Sequence, residues 1–431
     1  MKIFKSRISK LLIASALLLT AGLNAFGQEK DWLDSSVPSV YETYKNDFSY
    51  FGIACEYGNF GPGWGQKGEL TKPEVQKGLK KHANTITLGN EFKPQFVFGW
   101  WGQNPKVTNE KFTSSKGVTI TTPALNFLDR LGDILQICKD NGLQMRGHVL
   151  VWHSQTDDAF FCEDYNKNKK LVSKEIMDAR QEWYIKTVIE YVNNWEKKNN
   201  GGKHIVWAWD VVNEAVADDA TKSDYLRGST KNTKNKGPDQ GGSRWYQIYG
   251  SDEFIINAFR YANKYAPKDV KLCYNDYNEY MDYSQGWKTS GIVSLLKSII
   301  SHERDKELPT RIDVMGMQSH LGISWPGVSG VESAIKRYLA LGLDIHVTEL
   351  DFSAKNNAEC AKAYADYMKL FKKYGKAYSG KHRITCVTIW GINDENSWIA
   401  QGGKQKPLIF TLKKGKYLTK DAYWSVINAA K

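Results

Sequence analysis

Two acidic residues close runs that otherwise read as buried strands. Glu214 ends Trp209-Asp210-Val211-Val212-Asn213-Glu214, and Glu349 ends Ile345-His346-Val347-Thr348-Glu349, just before Leu350-Asp351. A carboxylate at the end of an apolar run is costly unless it is paired or put to use. One alone is as readily a salt bridge or a helix cap. Two of them, each followed by a loop and accompanied by Asn and His, form the pair that cleavage of a glycosidic bond requires. One acid protonates the leaving oxygen, and one carboxylate attacks the anomeric carbon or activates water. The attacking group must stay ionised, which donors such as Gln318 and His320 favour. Its partner must hold a proton until attack and then recover one.

For two residues 135 positions apart to face one another, the fold must bring strand ends together. Short β-branched or aromatic runs alternate with longer amphipathic segments, the pattern of parallel strands and crossover helices. The runs are Phe51–Cys55, Ala83–Leu88, Leu143–Val151, His204–Val212, Val270–Tyr274, Ile312–Met317, Leu343–Thr348 and Arg383–Ile389. Helix signals are clearest at Ser173–Lys197, Asp252–Tyr265, Ser284–Glu303, Val331–Leu341, Asn357–Tyr374 and Asp421–Ala430. Ser251-Asp252 opens one of these helices and Gly342 follows another, as caps should. This predicts an α/β fold, one (β/α)8 barrel over residues 28–431 whose long strand-to-helix loops form a substrate cleft. In a barrel the C-terminal strand ends share one mouth, so Glu214 and Glu349 converge there. No Pro/Ser linker, repeat or appended module interrupts the pattern. Two stretches read as insertions expected to border the cleft: Pro94–Thr122, with Trp100-Trp101, and the polar Asp218–Gly242.

Composition narrows the remaining classes. Lys2, Lys5, Arg7 and Lys10 precede an apolar run from Leu11 to Leu23, and Ala25-Phe26-Gly27 offers small residues for cleavage. Residues 1–27 are therefore expected to be a secretory signal, with a secreted or periplasmic mature chain, no membrane anchor after cleavage and no lipid-bearing cysteine. The full chain carries 59 Lys+Arg against 47 Asp+Glu. Its basic residues are scattered in loops, without the aromatic-interleaved stripe of a nucleic-acid site. The six cysteines match no zinc or redox spacing and sit mostly in apolar contexts, so no disulfide framework is expected, although export leaves room for one bridge. His148 and His153 fall on opposite faces of a strand, which argues against a zinc pair. No phosphate loop, Ser-His-Asp set or EF-hand loop stands out. No metal and no cofactor are expected, and the chain is expected to be a monomer. Fifteen Trp and 23 Tyr, several beside Gly, Asn and Asp, suit contact with sugar rings.

Taken strand by strand, the sequence resembles glycoside hydrolase family 10, the xylanase family, over nearly the whole mature chain. Asn84 through Lys93 resembles the second-strand segment and Arg146 through Gln155 the third-strand hallmark. Trp209 to Glu214 resembles the acid/base motif, Tyr274-Asn275-Asp276-Tyr277-Asn278 the fifth strand, and Gln318-Ser319-His320 the sixth. Thr348-Glu349-Leu350-Asp351 resembles the nucleophile motif, and Trp390-Gly391 with Trp398 the eighth. The resemblance implies a retaining endo-β-1,4-xylanase acting on xylan and xylo-oligosaccharides, with Glu349 as nucleophile and Glu214 as general acid/base. It implies that Asn213 donates to the substrate 2-hydroxyl. Asn90, Lys93, His148 and Gln318 become polar contacts around the −1 and −2 sugars, with Gln155, Asn275 and His320 among the binding residues. Trp152, Trp390 and Trp398 become aromatic walls that exclude a C6 hydroxymethyl group, and Tyr277 and Asn278 line the aglycone side.

One position departs from the pattern. The family has Glu immediately before the Asn of the second-strand motif, and here Leu88-Gly89-Asn90-Glu91-Phe92-Lys93 places Gly89 there. A contact to the −2 sugar is then expected to be missing. Either the insertion after Lys93 replaces it, with Trp100 or Trp101 as the natural candidates, or the insertion accommodates a branched substrate. Two other functions stay open: a related barrel hydrolase acting on another β-glucan or a decorated xylan, and a polysaccharide-binding protein that has lost catalysis. The presence of both glutamates and their donors speaks against the second.

Overall fold

Eight buried runs give eight parallel strands because their residues are β-branched or apolar on both faces, which only a sheet covered on both sides can accommodate. The computed structural model describes residues 29–58, 68–282 and 287–431. The expected signal segment lies outside them. The strands are β1 Tyr50–Cys55, β2 Thr85–Leu88, β3 Gln144–Trp152, β4 Val206–Asn213, β5 Lys271–Asp276, β6 Val314–Met317, β7 Asp344–Ser353 and β8 Ile384–Ile389. Each pairs in parallel with the next, and β8 pairs with both β7 and β1, so the sheet closes into the expected (β/α)8 barrel.

Eight helices cover it: α1 Pro73–His82, α2 Arg130–Asn141, α3 Lys174–Asn199, α4 Glu253–Tyr265, α5 Lys288–Ser301, α6 Val328–Leu339, α7 Asn357–Lys373 and α8 Asp421–Ala429. Local chemistry explains where several begin. Ser173 Oγ accepts from Ile176 N to open α3, and Asn356 Oδ1 accepts from Glu359 N to open α7. Neither α1 nor α2 opens on a capping side chain. The helix expected from Ser284 begins at Lys288, and residues 283–286 lie outside the described part.

Strand β7 runs past Glu349 to Ser353, longer than the sequence suggests. Its last residues find a partner of their own, since Asp351–Ser353 pair with a short strand, His320–Gly322. That pairing carries His320 to the side of Glu349.

The insertions differ from expectation. After a short helix at Pro94–Phe98, the first forms an antiparallel hairpin, Val107–Thr113 with Thr119–Pro123. The hairpin is tethered to α3, where Ser115 N donates to Glu182 Oε2 at 2.7 Å and Lys264 pairs with the same carboxylate. It therefore turns outward over the helix layer and does not border the cleft. Trp100 is buried against Phe98, with ring centroids 4.2 Å apart. The second insertion folds back through an antiparallel bridge between Val216 and Leu226. It supports the site from behind without lining it.

Inside the barrel lies a buried polar layer. The Arg146 guanidinium of β3 forks onto the Asp210 carboxylate of β4, and His148 Nδ1 meets Asp210 Oδ2 at 2.9 Å. Both members of the Arg146–Asp210 pair are fully excluded from solvent. On the other face of the same strands Trp209 packs over Gly147, where a Cβ would sit 2.2 Å from the indole ring, so β3 requires glycine at that crossing. All six cysteines are free and buried.

Removing one partner of a buried ion pair strands the other charge, which typically costs about 3 to 5 kcal/mol. Arg146→Met should therefore lower the denaturant midpoint by that order with an unchanged slope, and adding Asp210→Asn should recover part of the loss. A loss below about 1 kcal/mol for the single variant would show that Arg146 does not hold the layer together.

Candidate active site

At the C-terminal ends of the strands a cleft of about 640 Å³ opens. Both predicted catalytic carboxylates line it, and each is held by donors from neighbouring strands. Glu214 follows β4 with a backbone φ of 56°, a left-handed conformation that a non-glycine residue adopts only when its surroundings enforce it. The enforcement is visible. Its N–H donates to the Asn275 carbonyl at 2.9 Å, and its carbonyl accepts from Arg227 Nε of the second insertion at 2.9 Å. The carboxylate then accepts from Trp152 Nε1 on one oxygen and Gln318 Nε2 on the other, both at 2.9 Å.

Glu349 is buried, and its oxygens accept from Asn275 Nδ2 at 2.8 Å and from His320 at 3.2 Å. Burial alone would raise its pKa. The His320 hydrogen bond, the electrostatic effect of His148 and His320, and the Asn275 amide outweigh burial and hold the carboxyl below its ordinary range. Burial likewise opposes the charge on His320, but Asp351 and Glu349 on its two ring nitrogens lift it to about 10, so it is an imidazolium at neutral pH. Asp351 in turn accepts from Trp398 Nε1 at 2.8 Å. Trp398, about two-thirds exposed, is thus linked to Glu349 through Asp351 and His320.

A single relay of amides connects the two carboxylates. Asn275 Nδ2 bridges Glu349 and Asn213 Oδ1, while Gln318 Nε2 bridges Asn213 Oδ1 and Glu214. Because Asn213 Oδ1 accepts from both sides, its amide nitrogen makes no hydrogen bond among the described residues and is left to the cleft.

Asn90, Lys93, His148, Trp152, Gln155, Asn213, Tyr277, Asn278, Gln318, His320, Trp390 and Trp398 all line the same space. On one wall Lys93 Nζ donates to Asn90 Oδ1 at 3.2 Å and Gln155 Oε1 at 2.9 Å. Burial lowers the Lys93 pKa against the pull of Glu349, Glu214, Glu56 and Glu91. At the opposite end Tyr277 and Asn278 both donate to Asp218, which also pairs with the fully buried Lys288.

Two expectations need correcting. Asn275 does not line the cleft: it is fully buried, and its amide is used up by Asn213, Glu349 and Thr348 Oγ1, so it positions the pair and does not bind substrate. Gln318 serves Glu214 and not the nucleophile. The structure also brings in a residue that the sequence reading missed. Glu56, the first residue after β1, lines the cleft beside Gly89, whereas Trp100 and Trp101 do not.

Comparison with known proteins gives the family and agrees with the barrel. The model for glycosyl hydrolase family 10 matches residues 39–429. Among curated relatives, endo-1,4-beta-xylanase B of Butyrivibrio fibrisolvens is 38% identical over 84% of this chain and 50% of its own length. Endo-1,4-beta-xylanase Y of Acetivibrio thermocellus is 35% identical over 80% of this chain and 29% of its own. The chain thus spans half or less of the length of these relatives. Among solved structures, the CBM22-1–GH10 modules of Clostridium thermocellum endo-1,4-beta-D-xylanase 10B, complexed with xylohexaose, superpose with a TM-score of 0.70 at 31% identity, covering 90% of this chain and 67% of that one. An endo-1,4-beta-xylanase from Caldicellulosiruptor owensensis superposes at 0.65 with 30% identity, covering 91% and 99%. With its barrel, its paired strand-end glutamates and a family match over nearly all described residues, the chain belongs to glycosyl hydrolase family 10.

Proposed function

We propose that this protein is a retaining endo-β-1,4-xylanase that hydrolyses internal bonds of xylan by double displacement. The observation that carries the proposal is the amide relay, which fixes two carboxylates from different strands in different environments. Glu349 is ionised and facing a cation, and Glu214 is held between an indole and an amide donor. Xylan as substrate is supported by the xylanases to which the chain is similar and by the xylohexaose bound in one of them.

Glu349 attacks the anomeric carbon of the −1 sugar while Glu214 gives its proton to the departing glycosidic oxygen. The resulting glycosyl ester removes the negative charge from Glu349. Glu214, now a carboxylate, takes a proton from water as that water attacks, and the configuration is retained. Asn213, with its oxygen fixed by two donors, offers its amide N–H to the sugar 2-hydroxyl, a contact that tightens as the oxocarbenium character grows. Trp390 and the exposed face of Trp398 form the walls against which xylose packs. Export directed by the basic and apolar leader belongs to the same proposal, since a polymeric substrate is met outside the cell.

NMR of the first-formed product from plain xylan should show the β-anomer, with little turnover of mixed-linkage glucan, and an α-anomer would overturn the nucleophile role. Glu349→Ala should lose turnover on every substrate. Glu214→Ala should lose about 10²- to 10⁴-fold on xylan yet retain glycosylation by aryl xylobiosides with good leaving groups, which need little protonation. Equal losses for both variants on the activated substrate would contradict this division of labour.

The imidazolium supplies a second test. His320 has a folded pKa near 10 against 6.5 for the free side chain, so its contribution to stability is fully present below pH 6.5 and is lost as pH rises through about 10. The denaturation midpoint should fall across that window, and His320→Gln should flatten the fall. Parallel profiles for the two proteins would show that His320 is not held as a cation.

A further inference from the structure

Strand register makes Glu56 the neighbour of Gly89. Cys55 pairs with Leu88, and Gly89 N donates to the Cys55 carbonyl at 3.0 Å, so the residues that follow β1 and β2 emerge side by side at the mouth of the barrel. The absent side chain of Gly89 leaves space, and Glu56 fills it. A Cβ built on Gly89 would lie 3.0 Å from Glu56 Oε1 and 3.3 Å from its Cγ. The carboxyl is also fastened in place, since Asn90 Nδ2 donates to Glu56 Oε1 at 2.7 Å. Asn90 Oδ1 accepts from Lys93, and Lys93 donates onward to Gln155, so Glu56 begins a hydrogen-bonded wall along one side of the cleft. Its second oxygen, Oε2, has no hydrogen-bond partner among the described residues. Glu91, the other acid of this segment, is spent elsewhere, accepting from the backbone N–H groups of Tyr57 and Gly58.

We infer that Glu56 supplies, from the first strand, the carboxylate that the second-strand motif lacks at Gly89, and that it binds the hydroxyls of the xylose in the −2 subsite. The inference rests on the xylanase reading above. A cleft-lining carboxyl with one oxygen tied to an amide and the other without a partner among the described residues is an acceptor for sugar O–H donors, and in its ionised form those hydrogen bonds are the strong, charge-assisted kind. Burial, with Glu91 and Glu69 nearby, pushes Glu56 up to about 7, so the charged form of this contact prevails above that pH and the comparison below is made at pH 8. The same geometry revises what a glutamate at position 89 would do. It would compete with Glu56 for one place, and adding a side chain there without removing the other crowds the wall.

The test compares kcat/KM on p-nitrophenyl β-xylobioside, whose sugars occupy −2 and −1, with p-nitrophenyl β-xyloside, whose single sugar occupies −1. The ratio of the two isolates the −2 contribution from any general damage to the site. Glu56→Gln should lower that ratio by about tenfold or more, the size of one charge-assisted hydrogen bond. Glu56→Asp should keep part of it. Glu56→Gly should lose it, Gly89→Glu alone should not raise it, and the exchange Glu56→Gly with Gly89→Glu should restore it toward the wild-type value. A Glu56→Gln protein with unchanged melting whose ratio stays within twofold of wild type would overturn the inference, as would equal losses on both substrates. Wild-type protein that hydrolyses neither xyloside would overturn the xylanase reading along with it.

Discussion

The catalytic arrangement depends on one short chain of side-chain amides. Asn213 has two acceptor sites on its carbonyl oxygen, and Asn275 and Gln318 fill both. Each donor uses its other reach on a carboxylate, so β4, β5, β6 and β7 are locked to one another at the level of the reacting atoms. In a site largely closed to water such bonds are stronger than on a surface, and any member left unpaired would be costly. That cost is what keeps four loops and strand ends from drifting apart.

Charge is distributed around the relay by the same logic. The Glu349 carboxylate would resist burial, but it is paired with an imidazolium that is itself held by Asp351, and Asp351 is tied to Trp398. At the other carboxylate the insertion 218–242 reaches in from behind. Arg227 fixes the backbone of Glu214 and touches the Tyr277 hydroxyl, and Lys288 neutralises Asp218 and Asp276 beneath the aglycone wall. The insertion thus shapes the cleft without contributing a surface to it.

Much of this was legible in the sequence, because the cost of burying polar residues marks them out. Glu214, Glu349 and Asn213 stand at the ends of apolar runs, and the periodicity of those runs is enough to place them at one mouth. What the sequence does not carry is the choice of partner. Gln318 and Asn275 look alike as polar residues after or within strands. Only the register of β4, β5 and β6 decides that one amide meets the acid and the other is sealed beneath the nucleophile. Glu56 was missed for the same reason. It is a lone acid before Tyr57-Gly58, with nothing in its own neighbourhood to set it apart, and its significance comes from the cross-strand pairing with Gly89. The outward turn of the 94–122 hairpin was equally hidden, since it depends on Glu182 of α3 being free to receive Ser115 and Lys264.

In the proposed mechanism the relay leaves Glu349, and no other carboxylate, to bond to the sugar. Inactivation with an activated 2-deoxy-2-fluoro-β-xylobioside, whose fluorine slows the second displacement, followed by proteolysis and mass spectrometry, tests it directly. A single fluorosugar ester on the peptide carrying Thr348-Glu349-Leu350 is the predicted result. A label on Glu214, Glu56 or any other carboxyl would contradict the account.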